Sequence, residues 1–345
     1  MTGPSIKVLV VDDSAFARKV LRQVLSAAPG ISVVDTARDG LDALEKIAAL
    51  SPDVVTLDLV MPNLDGLGVL RSLAGAVSPR VVVVSSAGDE SELAVSALQM
   101  GAVELVHKPT ALATDRLYEL GSELVEKVRT AAGAVVRPLV EVQSVETPRS
   151  GAAPTGGQRI VVVGTSTGGP AALTRLLSSL PADFPAPLAL ALHIPAGYTE
   201  ALARRLNASS ALEVVEAEDG VELRPGRAVL ARAGMHLRVG RDGERALAWL
   251  DRMPLHSPHH PSVDVLFKSA ASGWGSDAVG VVLTGMGDDG LEGARAIREA
   301  GGHVLTESAE SCVVYGMPRV VVEAGFSHAS APLEEMVALL ERYVR

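Results

Sequence analysis

Ser166 lies in the string Gly164-Thr165-Ser166-Thr167-Gly168, between the β-branched run RIVVVG and the helix-period segment GPAALTRLLSSL. A G-x-S-x-G turn from strand to helix lifts a serine hydroxyl above a sheet edge, beside the amides that open the next helix. Nucleophilic attack is the chemistry that suits it. Such a serine needs a base, and the base needs an orienting carboxylate. His193 ends the strand-like PLALALH, and the pair Asp288 and Asp289 follows AVGVVLTG, so all three fall on the carboxyl edge of one parallel sheet. Their chain order differs from the serine, aspartate, histidine order of α/β-hydrolases and points to another scaffold with the same chemistry. A dinucleotide-binding turn competes for the same string, but G-T-S-T-G-G lacks the G-x-G-x-x-G spacing, and Asp183 in PADFPAP closes no second strand. A loop-capping histidine and a DDG turn are the plain alternatives for His193 and the aspartates.

A second constellation lies near the N-terminus. Asp12 and Asp13 end IKVLVVDD, Asp58 ends a run beginning DVVTL, Ser85 and Ser86 end RVVVVSS, and Lys108 with Pro109 follows VELVH. Three clustered carboxylates raise one another's pKa unless a hard divalent cation sits among them. Magnesium, held by carboxylates plus phosphate oxygens, suits that donor set. Lys108 then supplies a point charge for a phosphoryl group, and a serine hydroxyl a hydrogen bond. For Asp12 and Asp13 the alternative is capping of the helix that opens near Ser14.

The elements that must place these residues alternate. Five apolar, β-branched runs interleave with amphipathic segments such as AFARKVLRQVLSAA and DGLDALEKIAAL, which predicts a parallel sheet covered on both faces. Periodicity stops near residue 130, so the first domain is placed at 1–130. Residues 131–158, dense in Gly, Pro, Ala and Thr, read as an interdomain linker, with Val135, Val136 and Leu139 able to dock on either lobe. A second α/β series occupies 159–345, with a small hairpin insertion at LRVGRDGERALAWL around its D-G turn. The fold class is therefore α/β, as two doubly wound parallel-sheet domains.

Length and composition agree. A chain of 345 residues is long enough for two cores, and 48% apolar with 21% charged residues is ordinary globular usage. The net charge of −10 divides as 12 basic against 17 acidic groups in 1–130, 2 against 2 in the linker and 17 against 22 beyond it. With only 3% aromatics and no basic lobe, nucleic-acid binding is disfavoured. Apolar runs stay short of the roughly 18 residues of a membrane span, and MTGPSIKVLVVDD lacks signal-peptide anatomy. A single cysteine, Cys312, fits a reducing compartment, and the expected location is cytoplasmic. His256, His259 and His260 in HSPHHP lack helical spacing or a nearby cysteine, so zinc is disfavoured there.

Over residues 5 to about 128 the joint pattern DD, DLVMPNLDG, VVSS and HKP resembles the response-regulator receiver domain, which implies a flavodoxin-like fold. By that resemblance Asp58 is the phosphoacceptor, Asp12, Asp13 and Asp58 bind magnesium, Ser85 is the switch hydroxyl and Lys108 contacts the phosphoryl group. Receivers usually carry a rotating aromatic shortly before the lysine, whereas this chain has Glu104-Leu105-Val106-His107.

Over almost all of 159–345, IVVVGTSTGGP, ALHIPAGYT, RMPLHSPHHPSVDVLFKSAA, VVLTGMGDDGLEGA and SCVVYGMPR together resemble the catalytic domain of chemotaxis protein-glutamate methylesterases. The resemblance implies a Rossmann-like serine-esterase domain with Ser166 as nucleophile, His193 as general base and acid, and Asp289 as its orienting carboxylate. Backbone amides at Thr167 and near Met286 would form the oxyanion hole. The implied activity is hydrolysis of glutamate γ-methyl esters on chemoreceptor cytoplasmic domains with release of methanol, with glutamine deamidation by the same nucleophile. The esterase reaction itself would need no cofactor. The implied phosphodonor is the chemotaxis histidine kinase, and the unphosphorylated receiver would cover the active-site edge. Relatives carry Asn where Asp288 adds a negative charge. A non-enzymatic output module and a hydrolase or peptidase of other substrates are the rival readings.

Overall fold

The computed structural model describes residues 5–74, 79–86, 88, 90–108, 114–135 and 159–344. The chain divides into two units, Met1–Val140 and Glu141–Arg345.

In the first unit β1 (Ile6–Val11), α1 (Ala15–Ala27), β2 (Ile31–Ala37), α2 (Gly40–Leu50), β3 (Val54–Leu57), α3 (Gly66–Leu73), β4 (Arg80–Ser85), α4 (Ser91–Gln99), β5 (Glu104–His107) and α5 (Thr114–Gly133) alternate strictly, as expected. The strands form one sheet in the order β2-β1-β3-β4-β5, and every pairing is parallel. Val8 to Val11 and Val54 to Leu57 are buried throughout, because helices cover both faces. Three helices open on side-chain caps: Ser14 accepts from the Ala17 amide, Asp39 from Asp42 and Asp65 from Gly68. The strand order reverses between β1 and β3, and an open α/β sheet leaves its ligand crevice at that point. Leu105 is buried core although β5 is an edge strand, because helices cover the sheet face it points to. Helix α5 continues to Gly133, since the alanines after Thr130 favour helix. Pro109 and residues 136–158, including Val136 and Leu139, lie outside the described residues, while Val135 is exposed.

The second unit contains β6 (Ile160–Thr165), α6 (Gly169–Ser179), β7 (Leu188–Leu192), α7 (Thr199–Ser209), β8 (Glu213–Glu216), β9 (Val221–Glu222), β10 (Arg227–Leu230), β11 (His236–Asp242), β12 (Arg245–Asp251), α8 (Val263–Trp274), β13 (Ala278–Val282), α9 (Leu291–Glu299), β14 (His303–Glu307), α10 (Met317–Glu323), β15 (Ala329–Ala331) and α11 (Met336–Val344). Seven strands make a parallel sheet ordered β15-β14-β13-β6-β7-β10-β8. The expected hairpin is β11 and β12, antiparallel around Asp242 and Gly243, and β9 adds a third strand. Its Leu237, Val239 and Ala248 share one core with Leu266, Phe267 and Trp274 of α8, so the insertion anchors the helix that opens beside the site. The strand order reverses between β6 and β13.

Candidate functional site

The acidic cluster of the first unit forms because three loops leave the sheet at the same edge. Asp12 and Asp13 follow β1, Asp58 follows β3, and their carboxylate oxygens lie within 4.8 Å of one another. Lys108, following β5, donates to Asp12 Oδ2 at 2.7 Å and to Asp58 Oδ2 at 3.0 Å. Asp12 is fully buried and also accepts from the Ser14 amide at 2.8 Å. Burial, with the Asp12 charge beside it, pushes the Asp58 carboxyl up against the pull of Lys108. For Lys108 burial opposes the charge, but Asp12 and Asp58 outweigh it and raise its pKa. Two buried carboxylates and one exposed one, all oxygen donors and short of positive charge, fit a hard divalent cation such as magnesium. Ser85 ends β4 as expected, but its hydroxyl donates to Glu90 Oε2 at 2.7 Å, and the Ser86 amide donates to the same oxygen at 2.9 Å. Glu90 carried no motif signal, since it lies outside any strand end.

In the second unit the last rung between β6 and β7 pairs Thr165 with Leu192. Ser166 and His193 are thus the next residues out on neighbouring strands, which run roughly 4.8 Å apart. The His193 amide donates to Thr165 O at 3.1 Å, and the Ser166 amide to Thr284 O at 3.0 Å. Thr284 ties the turn again, its hydroxyl donating to Thr167 O at 2.9 Å. Its own amide is held at 2.8 Å by Glu307, a buried carboxylate whose pKa burial raises. Two glycines permit this closeness. A Cβ at Gly168, where φ is +78°, would lie 2.7 Å from Val313, and one at Gly285 would lie 2.8 Å from the Ser166 Cβ.

His193 Nε2 lies 2.8 Å from Asp289 Oδ2. Asp289 is seated on the N-terminus of α8, accepting from the Val263 amide at 2.7 Å, the Asp264 amide at 2.9 Å and the Ser262 hydroxyl at 2.9 Å. Burial resists its ionisation, but the His193 hydrogen bond and charge, with the two amides, win and lower its pKa to about 2. Ser262 caps the same helix, so one hydroxyl stops the helix and holds the carboxylate. Asp264 returns the clamp by accepting from the Gly290 and Gly293 amides at 2.9 and 2.7 Å. With His193 Nε2 directed at Asp289, Nδ1 is the ring nitrogen left over; it is buried and without a hydrogen-bond partner. Among the described residues no hydrogen bond joins Ser166 Oγ to His193, as is common before substrate binds.

Asp288 is exposed and makes no hydrogen bond to His193 among the described residues. Thr167 is buried at the start of the elbow, and Met286 lies in the loop after β13, exposed, one residue beyond the Gly285 bridge to Tyr315. The histidine loop does not converge on a metal position: His256 is exposed, His259 lies on His193 and His260 on His236. Ser262 was the residue of the cradle that pattern reading missed, although a serine ahead of the apolar run VDVLF is a recognisable cap signal.

Residues 161–340 match the CheB methylesterase family, and residues 8–119 match the response regulator receiver domain. The chain is 74% identical over 342 residues to the protein-glutamate methylesterase/protein-glutamine glutaminase 5 of Myxococcus xanthus, covering 99% of this chain and 98% of that relative. It is 43% identical to the corresponding protein of Symbiobacterium thermophilum over 98% and 97% of the two chains. The crystal structure of the Thermotoga maritima CheB methylesterase catalytic domain superposes with a TM-score of 0.53 at 39% identity, over 55% of this chain and 99% of that one.

Proposed function

Because the chain belongs to the CheB methylesterase family and carries a receiver domain ahead of the catalytic one, we propose that it is a phosphorylation-activated protein-glutamate methylesterase and protein-glutamine glutaminase. It hydrolyses glutamate γ-methyl esters on chemoreceptors, releasing methanol, as the adaptation step of chemosensory signalling. The receiver domain is assigned to 1–130, the connection to 131–158 and the catalytic domain to 159–345. The proposed location is the cytoplasm, where the cytoplasmic domains of chemoreceptors are reached; no helix among the described residues is long and apolar enough to cross a membrane.

The observation that carries the reading is the His193–Asp289 pair on the rung beside Ser166. Ser166 Oγ attacks the ester carbonyl while His193 Nδ1 takes its proton. Ionised Asp289 stabilises the imidazolium that results. The oxyanion is held by the amides of Thr167 and Met286. Collapse expels methanol, protonated by His193, and leaves a glutamyl ester on Ser166. Water deprotonated by His193 then frees the glutamate. On a receptor glutamine the same steps release ammonia.

In the receiver, Asp58 accepts the phosphoryl group from the chemotaxis histidine kinase and Lys108 contacts the phosphoryl oxygens, while Asp12, Asp13 and Asp58 are the residues that would hold magnesium. Magnesium supplies charge neutralisation there when bound. Ser85 provides the switch hydroxyl.

The deciding experiment is methanol release from a methylated chemoreceptor cytoplasmic fragment, with and without magnesium plus a small phosphodonor, for wild type and Ser166→Ala. Release that needs Ser166 and rises with phosphodonor is expected. Folded wild-type protein that releases no methanol under either condition refutes the reading.

A further inference from the structure

The loop from Pro254 to Pro261 delivers two imidazoles to two different places. His259 stacks on His193, ring centroids 3.9 Å apart and planes 15° from parallel. His260 leans on His236 at 4.4 Å and 34°. His236 in turn accepts from the Ser262 amide at 3.1 Å on Nδ1 and donates from Nε2 to Pro254 O at 3.2 Å. Ser262 is the residue whose hydroxyl holds Asp289. The loop is anchored by its own carbonyls, His260 O accepting from the Gly234 amide at 2.9 Å and His259 O from the Ser257 hydroxyl at 3.0 Å. One strap therefore bears on both members of the catalytic pair.

The His193 ring has a single hydrogen bond, through Nε2. A planar ring held at one edge can rock about that contact, and rocking swings Nδ1 away from the serine. A flat surface against the ring face removes that freedom. We propose that His259 is a positioning residue for the general base: its neutral ring, face to face with His193, fixes the plane of that imidazole and accepts its positive charge against a π face when the serine proton is taken up. The proposal rests on the reading of His193 as the base.

The groups facing His259 agree with this. They are His193, Asp289, Asp288 and His260, and burial together with the two histidines outweighs the two carboxylates and holds His259 below the ordinary histidine range. A neutral ring over an imidazolium is attractive, whereas a second cation at that distance would oppose protonation of the base. The stack also screens the His193–Asp289 hydrogen bond from water on that face.

The test compares His259→Ala and His259→Phe in the full chain, with magnesium and phosphodonor present. Methanol release and the labelling rate of Ser166 by a fluorophosphonate are both measured. His259→Ala is expected to lower kcat between about tenfold and a hundredfold with KM within about twofold, through misplacement of the base. His259→Phe, which keeps a flat face and has no proton to give, is expected to recover most of that loss in both assays. Wild-type kcat in His259→Ala overturns the proposal. A His259→Phe protein as slow as His259→Ala overturns it too, since a ring nitrogen would then be required. Should His259→Ala fail to fold by circular dichroism, His259→Leu, with bulk but no π face, carries the same expectation. Wild-type protein inert toward the methyl ester would count against the proposed substrate, while Ser166 labelling across the variants would still decide the stack.

Discussion

His193 Nε2 lies 2.8 Å from Asp289 Oδ2, and that contact leaves Nδ1 as the imidazole nitrogen without a hydrogen-bond partner. Asp289 accepts four hydrogen bonds, three of them from residues 262 to 264. Asp289→Asn should leave the fold intact, because an amide oxygen can still accept from α8. It removes the charge that stabilises the imidazolium and permits the other tautomer, so kcat should fall by on the order of 10⁴. Steady-state methanol release checks this, and a loss under about tenfold would exclude Asp289 as the orienting carboxylate.

The same carboxylate predicts a pH dependence of stability. Its folded pKa of about 2 lies below its ordinary 3.8, so the folded protein binds this proton less readily than the unfolded chain. The contribution, about 2 kcal/mol, is fully present above pH ~4 and is lost as pH falls through about 2. Urea unfolding of wild type and Asp289→Asn between those limits should show a steeper acid loss in wild type. Parallel curves would mean that Asp289 is not held ionised by its cradle.

Gly285 packs against the backbone of Ser166. Its added Cβ would lie 2.8 Å from the Ser166 Cβ and 3.0 Å from the Ser166 amide nitrogen, neither of which can yield without moving the elbow. Gly285→Ala should therefore reduce kcat by roughly a hundredfold through displacement of Ser166. Its melting temperature should also drop. A kinetically normal Gly285→Ala would show that the turn tolerates a shift.

The Asp58 carboxyl is pushed up by burial, with the Asp12 charge beside it, against the pull of Lys108. Asp58→Asn should abolish stimulation of methanol release by phosphodonor while leaving unstimulated activity near wild type. Lys108→Ala should weaken phosphodonor stimulation as well, because the phosphoryl group loses its cation and Asp12 its buried partner. Stimulation that survives in Asp58→Asn would place the phosphoacceptor elsewhere.

Ser85 is engaged by Glu90 at 2.7 Å, a charge-assisted bond that competes with any role of the hydroxyl at Asp58. Glu90→Gln should lower the phosphodonor concentration for half-maximal activation by about three- to tenfold, the equivalent of roughly 1 kcal/mol. A titration midpoint equal to that of wild type would show that Glu90 does not restrain the switch.

Strand and helix periods, with Gly, Ser and Asp at their junctions, were enough to read two parallel α/β sheets, the hairpin around Gly243 and the strand ends that carry Asp12, Asp58, Ser166 and His193. This worked because a buried parallel strand is apolar along its length and a polar residue at its carboxyl end has few places to go. Strands β8, β9 and β15 escaped, being short sheet-edge strands with charged or polar residues, and β14 escaped because His303, Thr306 and Glu307 break up its short apolar run. The packing of loops from distant parts of the chain was not legible. No local rule says that Ser262 and Val263 of one helix will seat Asp289, that Glu90 will take the Ser85 hydroxyl, or that His259 will lie flat on His193. The contacts of Asp289 and of His193 join residues far apart in the chain, so their geometry follows from how α8, the strap and β13 pack on the finished sheet, whereas Ser85 and Glu90 are only five residues apart. The types of chemistry were legible in the one-dimensional pattern; which imidazole nitrogen of His193 meets Asp289, the cradle around that carboxylate and the ring that lies on His193 follow from tertiary packing.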